Sequence, residues 1–104
     1  MLHVIAHITA KPGLRAQLLA AFDANLPAVR AEEGCIEYGA AVDADGIGKF
    51  QTALGPDAIV VIEKWASADA LKAHAASPHM AAYAAKAKDL IATRVIHVLS
   101  PASP

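Results

Sequence analysis

Apolar positions along the chain change their period several times, and each change marks an element. Residues 2–10, Leu-His-Val-Ile-Ala-His-Ile-Thr-Ala, put β-branched side chains at alternating positions, which predicts a strand that Lys11-Pro12-Gly13 ends. From Leu14 the spacing becomes helical. Leu14, Leu18, Phe22 and Leu26 recur every four residues, Leu19 and Val29 widen the stripe, and Arg15, Gln17, Asp23 and Arg30 stay off it. This helix is expected to reach Glu33, with Gly34 as its C-cap and Pro27 kinking or restarting it near Asn25. Cys35 to Val42 predicts a short second strand and Asp43-Ala-Asp-Gly46 a turn, while Gly48 to Pro56 fits a long hairpin connection or an edge extension. Ala58 to Trp65 is the clearest strand in the chain. Ser67 then caps a helix carrying Asp69, Leu71 and His74, and Ser77-Pro78 breaks it, because the residue before a proline avoids the helical region. A second helical piece is expected over His79 to Ile91, a last strand over Thr93 to Leu99, and a tail beyond.

The order β-α-β-β-α-β is that of the split βαβ, an α+β ferredoxin-like fold with a four-stranded antiparallel sheet and its helices on one face. Such a sheet should alternate apolar and polar residues if its other face were wet. It does not. In 58–65, Ile59, Val61, Glu63 and Trp65 oppose Val60, Ile62 and Lys64; in the last strand Val95, His97 and Leu99 oppose Arg94, Ile96 and Val98. Four strands of about six residues expose a footprint on the order of 400 Å² per face. That is as large an apolar patch as a monomer ordinarily shows. The pattern therefore predicts a homodimer packed sheet against sheet, with two-fold symmetry.

Composition narrows the partners. Of 104 residues, 56% are hydrophobic, and nine Lys+Arg oppose ten Asp+Glu with no basic cluster, so nucleic acid is not expected as a partner. The single Cys35 has no partner for a disulfide within the chain, which fits a reducing cytoplasm. Two histidines interrupt the first apolar run and no basic segment precedes it, so neither a signal peptide nor a membrane span is expected.

Glu63-Lys64-Trp65, followed by Leu71, His74 and Pro78-His79-Met80, with Glu33-Gly34-Cys35 and Tyr38 upstream, resembles the antibiotic biosynthesis monooxygenase family of dimeric α+β-barrel proteins. The likeness covers residues 2–95 and leaves 96–104 as the end of the last strand and a C-terminal tail. It implies a pocket between helices and sheet, a dimer across the other sheet face, and, as in many members, chemistry without metal, haem or flavin on a substrate that supplies its own electrons. The haem-degrading branch carries an asparagine on the first strand. Here the only asparagine is Asn25, in the first helix.

Cofactor-independent oxygenation of a quinol needs few groups: a base to form the electron-rich anion, an apolar cage, and donors for the developing oxyanion. His74 is the preferred base, three residues after Leu71 on one helical face, although a histidine there also suits the helix C-terminus. Glu63, two residues before Trp65 on the same strand face, is expected to support it or to sit at the sheet margin. Trp65, His79 and Tyr83 are the candidate substrate-binding residues: a stacking wall or core filler, an entrance or capping residue, and a phenolic donor or core residue. His3 and His7 stand about 13 Å apart on one strand, too far to share an ion, and no carboxylate or Cys cluster completes a ligand pattern with His97. No metal site is expected. The preferred function is a cofactor-independent monooxygenase acting with O2 on a small quinol or polyphenol-type aromatic. A non-oxidative isomerase or degradation enzyme for a small hydroxyketone, and a non-catalytic dimeric ligand-binding or stress-response module, stay open as alternatives.

Overall fold

The computed structural model describes residues 1–104. In chain order the elements are β1 (Leu2–Ala10), α1 (Arg15–Arg30), β2 (Cys35–Ala41), β3 (Ala58–Trp65), α2 (Ala68–Ala75), α3 (Pro78–Ala87), a 3-10 turn (Lys88–Leu90) and β4 (Ile91–Leu99). The four strands form one antiparallel sheet in the order β2-β3-β1-β4, the ferredoxin-like arrangement that the element order predicts. No helix is long and apolar enough to cross a membrane.

Register decides what shares a face. Leu2 pairs with Trp65, Val4 with Glu63 and Val98, and Tyr38 with Glu63, so these side chains and their alternate neighbours point toward the helices. That face carries the core: Val4, Ala6 and Ile8 of β1, Ile59, Val61 and Trp65 of β3, and Leu18, Phe22 and Val29 of α1. Trp65, Leu18, Ile59 and Val29 are the largest side chains wholly removed from water, and burying each stabilises the fold by about 1.5–3 kcal/mol. The opposite face presents Ile5, Val60, Ile62, Val95 and Leu99 beside His3, His7, His97 and Lys64. The helices leave β4 uncovered, so Ile96 and Val98 on the core side stay half exposed like Val95 and Leu99 on the other.

Several boundaries differ from expectation. α1 stops at Arg30 rather than Glu33, and its cap is Ala31. It runs through Pro27 without a break: Pro27 removes one N–H, and its neighbours keep helical geometry because Val29 is locked in the core. Gly34 lies beyond the helix, at φ +81°, where a Cβ would meet the Ala70 Cβ at 2.6 Å; its carbonyl accepts from Ala66 N–H at 2.8 Å. This close approach seats the 31–34 turn against α2. Finally, α3 ends at Ala87 and Ile91 opens β4, since Ile91 pairs with Ala10 across the sheet.

The predicted Ser67 cap is present, and Ser77, expected only as part of a break, caps the next helix. The Ser67 hydroxyl accepts from Ala70 N–H at 3.1 Å, and Ser77 caps α3 with Pro78 in its first turn. The 43–57 connection is a loop rather than a strand extension. Its base is tied by Asp43, whose carboxylate accepts from Leu54 N–H at 2.9 Å and Gly55 N–H at 3.0 Å, which holds its pKa below the usual value. Beyond that clasp Phe50 is 84% exposed.

Candidate active site

α2 lays His74 onto the aromatic floor of the sheet. Its ring lies 4.6 Å from the Trp65 ring at 34° and 5.4 Å from Tyr38 at 62°, and Tyr38 stacks in turn on Phe22 at 5.3 Å. The imidazole is buried; 4% of His74 is exposed. Both ring nitrogens meet carboxyl groups. Nδ1 is 2.8 Å from Oε2 of Glu32, and Nε2 is 4.0 Å from Oε1 of Glu63. An ionised carboxylate only accepts, so Nδ1 carries the proton toward Glu32, and in the neutral ring Nε2 is a lone pair.

Glu63 sits in the helix-facing row of β3, opposite Val4 and Tyr38. Burial pushes its pKa up, opposed by the hydrogen bond that Trp65 Nε1 donates to Oε1 at 2.9 Å and by His74. A cavity of about 460 Å³ lies against these groups, bordered by Val4, Ala6 and Ile8 of β1, Ile96 and Val98 of β4, and Leu71 and Met80 from the helices. Its polar lining is Tyr38, Glu63, His74, Tyr83 and Arg94. The Tyr83 side chain borders it, and its hydroxyl is buried with no hydrogen-bond partner. Burial pushes the Tyr83 phenol up, against the opposing Arg94 charge, so it stays an O–H donor. Such orphaned hydroxyls cost about 1–3 kcal/mol unless something pairs with them.

Of the residues expected from sequence, His74, Glu63 and Tyr83 border this one cavity. Trp65 does not; it is wholly buried behind His74 and anchors Glu63. His79 borders a separate shallow hollow with Asn25 and Lys86. Its Nε2 nevertheless lies 2.9 Å from the same Glu32 Oε2 that meets His74, and 3.2 Å from Ser77 Oγ. Ser77 also donates to the His74 carbonyl at 2.8 Å, stapling the end of α2 to the start of α3.

Glu32, Tyr38 and Arg94 were not among the residues the sequence singled out for these roles. Glu32 is 42 positions from His74 and reaches it only because Gly34 lets its turn sit against α2. Tyr38 was quoted only as part of a motif. The signal for Arg94 was faint but present, as a charge in an apolar strand on the parity that faces the helices.

Residues 1–86 match the sequence profile of the family described as antibiotic biosynthesis monooxygenase. The chain belongs to that family. It is thus an enzyme of monooxygenase type, as its motifs implied. Among its relatives, the probable quinol monooxygenase YgiN of Escherichia coli K12 is 41% identical over 103 residues, covering 97% of this chain and 98% of YgiN. Rv0793 of Mycobacterium tuberculosis is 34% identical over 99 residues, 94% of this chain and 88% of that protein. The solved structure of Rv0793 superposes with a TM-score of 0.80 over 99% of this chain and 96% of that one.

Proposed function

We propose that the chain is a cofactor-independent monooxygenase that oxidises a small quinol or polyphenol-type aromatic with O2, His74 acting as the base. The observation that carries this reading is the buried His74, which lines the apolar cavity with Nδ1 on Glu32 and Nε2 4.0 Å from Glu63. The volume of about 460 Å³ falls in the range that takes a small aromatic molecule. The match to a relative named as a quinol monooxygenase supports the substrate class.

In the proposed reaction His74 Nε2 takes a hydroxyl proton from the bound quinol. Glu32 fixes the ring and Glu63 stabilises the imidazolium that forms, the division of labour of an oriented general base. The resulting anion gives one electron to O2. The semiquinone and superoxide recombine to form a carbon–oxygen bond inside the dry cage, and loss of water from the peroxide leaves a hydroxylated quinone. One quinol and one O2 thus become one hydroxyquinone and one water. The Tyr83 hydroxyl is the donor for the substrate oxygen as charge develops on it.

The open sheet face, with Ile5, Val60, Ile62, Val95 and Leu99, supports the further reading that the enzyme works as a sheet-to-sheet homodimer. The deciding experiment is O2 uptake by metal- and flavin-free protein on a hydroquinone panel. Uptake above the autoxidation blank that falls about 10²–10⁴-fold in His74→Ala is the expected result. No uptake, uptake indifferent to His74, or turnover without O2 would refute the mechanism.

A further inference from the structure

Three side chains, the proposed base among them, form a constellation that proton transfer alone does not require. Glu32 Oε2, His74 Nδ1 and His79 Nε2 all lie within 4.8 Å of one another, and the carboxylate oxygen stands 2.8 Å and 2.9 Å from the two nitrogens. We propose that Glu32, His74 and His79 bind one divalent transition-metal ion of the zinc class, and that its binding switches His74 from proton acceptor to proton donor. The second half rests on the role given to His74 above; the first does not.

Ligand atoms around an ion at about 2.0–2.1 Å stand ~3 Å apart at right angles and ~3.4 Å apart in a tetrahedron. The two N···O separations are already close to the lower value, so an ion needs only a few tenths of an ångström of opening there. The ligands come from three anchored places: the turn pinned by Gly34 against Ala70, the last turn of α2, and the first turn of α3 behind its Ser77 cap. A histidine bound to metal through one nitrogen ordinarily donates the other N–H to a carboxylate, and Glu63 waits 4.0 Å from His74 Nε2. The His79 side chain is 29% exposed, which gives an ion a route in and leaves room for water as a fourth ligand. Two imidazoles and one carboxylate suit zinc, cobalt or nickel, and not calcium or magnesium, which demand more oxygen ligands.

The consequence is a change of tautomer with no change of oxidation state. In the metal-free site His74 holds its proton on Nδ1 and offers the Nε2 lone pair to the cavity. An ion takes the Nδ1 lone pair, the proton moves to Nε2 and faces Glu63, and His74 no longer offers a lone pair to the pocket. Zinc would therefore inhibit by occupying the back of the base rather than the substrate's place.

The test is a titration of the full-length, chelator-treated protein with Co²⁺, read by visible absorption, and with Zn²⁺, read by calorimetry. One ion per chain is expected, with binding weakened at least about 100-fold in Glu32→Gln and in His79→Gln, and roughly tenfold in Glu63→Gln. Imidazole ¹⁵N shifts should show His74 Nε2 changing from unprotonated to protonated as zinc is added. No saturable binding by about 1 mM Co²⁺, or binding unaltered in Glu32→Gln with a native circular dichroism spectrum, overturns the site. Should His79→Gln fail to fold, Glu32→Gln and the nitrogen shifts decide alone. Binding without the tautomer change overturns the inhibitory half. None of these readouts needs turnover, so failure of the quinol reaction would be seen separately.

Discussion

β3 and β4 flank β1 and pair with it over nearly its whole length, and both carry apolar side chains on both faces, yet they end in opposite circumstances. On the helix side of β3, Ile59, Val61, Glu63 and Trp65 are all buried; on the same side of β4, Ile96 and Val98 are 50% and 53% exposed. The strands are alike in composition and differ in what lies above them, since α1 and α2 cover β3 and its neighbours and stop short of β4. A greasy strand therefore reports that its surface will be covered, and does not say by what. Helices of the same chain cover the inner face of β3. The proposed substrate on one face and the proposed second copy on the other would supply what β4 lacks.

That contrast can be broken in four ways, in falling order of effect. Trp65→Ala removes the largest wholly buried side chain and the donor to Glu63, and should lower unfolding free energy by about 3–5 kcal/mol in a urea titration. Val95→Asp with Leu99→Asp puts charge on the outer face of β4 and should cost the dimer more than about 2 kcal/mol, giving 10.7 kDa particles of native circular dichroism in the ultracentrifuge. If the assembly is unchanged, the outer face is not the interface.

Ile96→Ala, on the inner face of β4, should leave stability within about 0.5 kcal/mol while raising KM roughly tenfold. An unchanged KM would mean that β4 is no wall of the substrate site. The gentlest probe is pH. Burial lets the folded chain hold the Glu63 proton more tightly than the unfolded one, so the contribution of Glu63 is fully present below its ordinary 4.5 and lost as pH rises through its higher folded value. Glu63→Gln lacks that loss. The melting temperature of the natural protein, relative to this variant, should fall as pH rises above the ordinary 4.5.

The local rules were legible because local physics enforces them. Alternation placed β1 and β3 at their observed ends, and the two serines and Pro78 set the helix starts through hydrogen bonds no more than three residues long. The ends of α1 and α3 were harder, because tertiary contacts decide them: Gly34 packs on Ala70, and Ile91 is drawn into the sheet by Ala10. The same division runs through the site. His74 and Glu63 stood out by residue type on patterned elements. Glu32 did not, since nothing near it in sequence says that an acidic residue after one helix meets histidines more than 40 positions on. The expectation of no metal cluster weighed His3, His7 and His97 on the strands, whereas the side chains that converge, Glu32, His74 and His79, sit on a turn and two helices.

The Asp43 clasp has a practical corollary for engineering. Because one carboxylate closes the base of the 43–57 connection on two backbone amides, residues 44–53 contribute little to holding β2 and β3 in register. Lengthening a loop whose ends are already joined costs only the slow logarithm of its size. A peptide tag or a fluorophore-bearing insert near Phe50 can thus ride on this enzyme as cargo, leaving the architecture beneath it undisturbed.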